Sequence, residues 1–83
     1  MREAKSYKTL YFLKIKGMDK IPDYIQVRDE NFTLIAYFRP ERPERAINKA
    51  GLGQYINEIK EIVETLPYGK VVRVDMDSLQ KEL

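Results

Sequence analysis

The sequence predicts an α+β fold: a single small domain, mainly antiparallel sheet in β-β-β-α-β order, with one amphipathic helix packed on one face. Three observations carry this reading. Four stretches are rich in β-branched and aromatic residues and alternate with a period of two. Two of them are separated by only "DEN" (29–31), the length and composition of a hairpin turn. One stretch near the C-terminus repeats its apolar residues at helical spacing.

The first strand is "YKTLYFLKIKG" (7–17). One of its rows is Tyr7, Thr9, Tyr11, Leu13, Ile15, which reads as the core face. The other is Lys8, Leu10, Phe12, Lys14, Lys16, a lysine-rich outer face that nonetheless carries two large apolar groups. Gly17 ends the strand, and "MDKIPD" is a loop broken by Pro22. "YIQVR" (24–28) and "FTLIAYFR" (32–39) form the hairpin, with Asn31 suited to the left-handed position. In the second of these, both rows again contain apolar groups: Phe32, Leu34, Ala36, Phe38 and Thr33, Ile35, Tyr37, Arg39.

"RPERPER" (39–45) ends that strand, because proline lacks the donor a ladder needs. Pro43 suits a first helical position, so "ERAINKA" forms a short turn of helix, with a bend at Gly51 and Gly53. A continuous helix over 43–66 is the close alternative. The main helix runs from about Gln54 to Leu66, stacking Leu52, Ile56, Ile59, Val63 and Leu66 on one face. Pro67 stops it, and "PYGK" turns the chain into a last strand, "VVRVDM" (71–76). The tail "DSLQKEL" adds a frayed helical turn capped by Asp77 or Ser78.

Composition narrows the function classes. The chain has 83 residues, 43% hydrophobic and 34% charged, the balance of a folded domain, here a single one over 1–83. Cysteine and histidine are absent, which removes thiolate nucleophiles, the commonest general base and the best transition-metal ligands. Asp75 and Asp77 have the spacing to share a face and hold Mg²⁺, but such aspartates more often serve as caps or solvated turns. The expectation is a protein that is not an enzyme and carries no cofactor or metal. The charged start "MREAKSYK" is unlike a signal peptide, and no apolar run approaches a membrane span, so a soluble cytoplasmic protein is expected.

Sheet width points to a partner. Four strands about 4.8 Å apart span nearly 20 Å, whereas one helix is about 10 Å across, so a sheet face is left uncovered. Leu10, Phe12, Ile35 and Tyr37 are expected on that face, as an interaction surface for a second copy or another protein. The competing reading covers them with the stems of Lys8, Lys14, Lys16 and Arg39. On the first reading Phe12→Asp abolishes association and leaves the helical circular dichroism intact.

Charge supplies two more candidates. The formal net charge is only +2, but residues 1–20 carry six basic and two acidic groups, and residues 39–49 carry four and two. Lys14, Lys16, Arg39, Arg42, Arg45 and Lys49 are therefore the candidate basic rim of an interface, or a surface for single-stranded nucleic acid. Gly51 and Gly53, in "AGLGQ", open a helix in the manner of an anion-binding turn. Neither the third glycine of a dinucleotide fingerprint nor a Gly-Lys-Ser/Thr ending follows, and Glu41 and Glu44 stand beside Arg42 and Arg45 as in an ordinary solvated connection.

Overall fold

The computed structural model describes residues 7–79; the charged N-terminal six and the last four of the tail lie outside the described residues. Strands β1 (Thr9–Ile15), β2 (Tyr24–Arg28), β3 (Leu34–Phe38) and β4 (Val71–Asp75) form one antiparallel sheet in the order β3-β2-β1-β4. Helices α1 (Glu44–Lys49) and α2 (Ile56–Thr65) lie between β3 and β4, and α3 (Met76–Leu79) follows β4. The predicted order of elements is present, with helices on one face only. Among the described residues no helix is long and apolar enough to cross a membrane.

The helical segment divides where the glycines fall. Gly51 takes φ +84° and ends α1: its amide donates to the Asn48 carbonyl at 3.0 Å, and the Leu52 amide reaches back to Ile47 at 2.9 Å. This pair of bonds is a Schellman ending, which needs a left-handed residue and therefore favours glycine. Gly53 makes the corner, since a Cβ there would collide with the Asn48 side chain. A 3₁₀ turn (Gly53–Tyr55) then leads into α2. Leu52, Ile59, Val63 and Leu66 are buried as their spacing predicts, and Lys14 donates to the Val63 carbonyl at 3.5 Å near the helix C-terminus.

The first strand corrects the expected faces. Leu10 and Phe12 are fully buried, in one core with Ile25, Val27, Phe38 and the helices' inward residues. The row expected inside, Tyr11, Leu13 and Ile15, is half-buried and does not pack against that core. Of that row only Tyr7, ahead of the strand, lies on the core side, its hydroxyl donating to the Ala50 carbonyl at 3.0 Å. The reason is geometric. A helix about 10 Å across covers roughly three residues of a strand, so only the middle of a row has to be apolar. Lys8 and Lys16 lie exposed at the two ends, and Lys14 threads to the helix terminus.

The hairpin departs in detail as well. Asp29 organises it, accepting the Asn31 and Thr33 amides on its carboxylate, both at 2.9 Å. The left-handed residue is Phe32 (φ 64°), not Asn31. A bulge follows: Leu34 and Ala36 pair with the adjacent Arg28 and Val27, which leaves Ile35 as the extra residue. It packs partly against the core, while Leu34 turns outward. At the C-terminal end, α3 begins with buried Met76, one residue before the expected caps.

These burials set an expectation. Phe12→Ala should destabilise the fold by about 3–5 kcal/mol in urea unfolding, the usual cost of emptying a fully packed phenylalanine site. Phe12→Asp should abolish folding, not merely association. A loss below about 1 kcal/mol for the alanine variant would place Phe12 outside the core.

Candidate functional site

Because the even positions of β1 point at the helices, its odd positions build the opposite face. Register lines these up into two transverse rows: Tyr37–Gln26–Leu13–Val71 and Leu34–Arg28–Tyr11–Arg73. Tyr24 and Ile15 pair at the adjoining edge. No helix lies over these rows, and Tyr37, Val71 and Leu34 are 58, 50 and 44% exposed. The rows contain no lysine and no acid, and Asp75, beside Arg73, is the nearest carboxylate on this face. Tyrosine and arginine with few lysines and acids is the composition of interface centres.

Local bonds stiffen this surface. Phe32 meets Tyr11 edge-on at 5.5 Å, and the Arg28 guanidinium lies 4.9 Å from the Phe32 ring centroid. Arg28 also donates to the Phe32 carbonyl at 3.0 Å and to the Gln26 side chain at 3.2 Å, so its charge is held flat against the sheet. A bulky residue at φ 64° costs about 1–2 kcal/mol, and here the ring and guanidinium contacts offset it. Tyr24 and Tyr37 form a second tilted pair at 4.8 Å.

At the β3 edge the face turns into grooves. One of about 330 Å³, beside α1, is lined by Tyr37, Arg39, Arg42, Arg45 and Lys49. It continues on one side into a groove of about 440 Å³ along Leu34–Tyr37 and on the other into one of about 270 Å³ between Tyr24, Tyr37 and Arg39. Tyr37 is common to all three. Glu44, expected to neutralise the neighbouring arginines, pairs instead with Lys60 at 2.9 Å. Among the described residues none of the four groove cations has a carboxylate within 4.0 Å.

The other sequence candidates are dispersed. Leu10 and Phe12 belong to the core and Ile35 to the bulge; of the four residues expected on the interaction face, only Tyr37 stands there. Lys14 and Lys16 leave the arginines and converge on Tyr68, each ammonium 4.9 Å from its ring centroid. Gly51 and Gly53 serve the helix ending, with the Gly51 amide engaged by Asn48. Asp75 accepts from Arg73 at 3.1 Å and from Thr9 at 3.3 Å. Sequence reasoning missed Tyr11, Leu13, Tyr24 and Phe32, although the lysines at both ends of the even row marked where the helices stop.

Tyr68 also forms a latch. Its hydroxyl donates to Asp23 at 2.6 Å, and the other Asp23 oxygen accepts the Gly17 amide at 2.7 Å. Gly17 has no room for a Cβ, because the Ile21 and Pro22 backbone folds over it. No protein-family model, curated protein or solved structure matches the chain.

The latch has a pH dependence of known sign. The Tyr68 hydroxyl first, then the Gly17 amide, hold the Asp23 carboxyl below its ordinary range. A depressed folded pKa stabilises the fold fully above the unfolded value, about 3.9, and that stabilisation is lost as pH falls through the folded one. Acidification below about pH 4 should therefore move the Gly17 amide resonance, and Asp23→Asn should abolish the titration. A Gly17 resonance that stays constant down to about pH 2 would refute the latch.

Proposed function

We propose that this protein is a non-enzymatic interaction module that self-associates through its open sheet face. The observation that supports the reading is the pair of transverse rows, each running across all four strands, with Tyr37, Leu13, Val71, Leu34 and Tyr11 on the side of the sheet that carries no helix. Antiparallel sheets commonly leave one face to water, but that face is then polar. Here it is not.

A second copy is the occupant of choice because no helix covers this face of the sheet, and two sheets pack face to face about 10 Å apart at roughly −30°. A two-fold axis lets each row meet its own copy. Arg28, tied back to Phe32 and Gln26, does not project its charge at the copy's arginine. The sheet's flat projection is small. Four strands about 4.8 Å apart and five residues at about 3.3 Å give roughly 320 Å², against the roughly 800 Å² of accessible surface per partner in a standard interface. The association is therefore concentration-dependent, with the rims contributing.

Light scattering behind a sizing column reads this directly. The mass should rise from the 9.8 kDa monomer toward twice that as protein concentration increases. Leu13→Lys, which sets a cation against its own image across the two-fold, should hold the protein at monomer mass with unchanged circular dichroism. Wild-type protein that stays monomeric at millimolar concentration, or a Leu13→Lys dimer as tight as wild type, would reject self-association through this face.

A further inference from the structure

We infer that the groove at the β3 edge is a binding site for single-stranded nucleic acid, with phosphates held by Arg39, Arg42, Arg45 and Lys49 and a base stacked on Tyr37. This site shares Tyr37 with the self-association face proposed above, but its cations lie on the β3–α1 connection and on α1, outside the two transverse rows.

Four observations lead there. The cations line one groove, and among the described residues none is paired with a carboxylate. The nearest candidates to neutralise them are turned away or unengaged: Glu44 binds Lys60, and Glu41, in the turn closed by the Arg42 amide on the Arg39 carbonyl, makes no ion pair among the described residues. Three of the four are arginines, whose planar forks match phosphate oxygens in pairs. Tyr37, 58% exposed as a residue, sits at the junction of the three grooves with its ring beside that of Tyr24 at 4.8 Å.

Cations beside an exposed, supported aromatic ring are the elements of sequence-tolerant single-strand binding, where each stacked base contributes through its π-face. The three grooves in series suit an extended chain more than a compact small anion. An acidic peptide added as a fifth strand fits less well. The bulge at Ile35 breaks the regular spacing along β3, and Pro40 ends the edge one residue after Arg39.

The test is fluorescence anisotropy with a labelled oligothymidylate of about fifteen residues, a length that spans one such site. Three to four neutralised phosphates predict affinity about 20- to 50-fold weaker at 200 mM than at 50 mM salt. Reversing both charges in Arg42→Glu/Arg45→Glu, at two exposed positions, should abolish binding at 50 mM salt while leaving the light-scattering mass and the circular dichroism as in wild type. Tyr37→Ala should weaken binding roughly tenfold and leave the salt slope unchanged, since stacking releases no counterions.

No binding at about 100 µM protein in 50 mM salt would overturn the assignment, as it lies within the non-specific range. So would binding untouched by the double reversal. Displacement of the oligonucleotide by polyglutamate at equal charge concentration would reassign the groove to an acidic peptide. Loss of self-association in Leu13→Lys with oligonucleotide binding retained would separate the two surfaces and support both.

Discussion

Leu10 and Phe12 occupy β1, one of the two strands that pair on both sides, and both are fully buried. Phe12 stands between Val27 of β2 and Val72 of β4, and Leu10 faces Val74. Their burial fixes the register of three strands against the helices, because a slip of one residue in β1 would bring Tyr11 and Leu13 inward and turn Leu10, Phe12 and the lysines out onto the open face. From that follows the remainder of the arrangement. Ile59, Val63 and Leu66 close over the pair, and the Schellman ending at Gly51 lets α1 fold back so that Ile47 and Leu52 reach the same core. Everything on the odd positions of β1 is then committed to the other side.

Much of the fold was legible in the sequence, since its signals are local. Pro43, the Gly51–Gly53 corner and the four-three-four-three spacing of α2 each act within one turn of chain; the corner is realised, Pro43 stands one place earlier, as the N-cap of α1, and of the spaced residues only Ile56 stays half-buried. The faces of β1 were not legible, because alternation alone says that two rows exist and leaves open which is covered. Counting apolar residues favoured the longer odd row, whereas the helices need only two large groups in mid-strand. The bulge at Ile35 and the left-handed Phe32 were hidden for a similar reason. The left-handed Phe32 rests on a ring contact to Tyr11, far along the chain, and the bulge on how β3 pairs with Val27 and Arg28 of β2. The cationic groove was half legible. Its arginines are obvious in sequence, but their freedom from Glu44 rests on where Lys60 falls when α2 packs beside α1.

The molecule thus presents two surfaces of different chemistry that meet at Tyr37. Association through the sheet face, as proposed, would depend on apolar burial and change little with salt, whereas binding in the groove would depend on charge and be strongly screened. The short β3 edge, bent by its bulge and ended by Pro40, has the devices by which edges resist indiscriminate strand pairing. Association through the face of the sheet leaves those devices intact. The latch of Tyr68 on Asp23 holds the loop before β2, where Gly17, Lys14 and Lys16 join it to the end of α2.

The account rests on which row of β1 is outside and whether it is covered by association. Methyl NMR with a soluble paramagnetic agent reports on both at once. Leu10 and Ile25 should be shielded at every protein concentration, while Leu13 and Ile15 should relax strongly in dilute samples and become shielded as concentration rises. Leu13 and Ile15 shielded at all concentrations beside an accessible Leu10 would contradict the assignment of faces. Leu13 and Ile15 equally accessible at all concentrations would contradict the association.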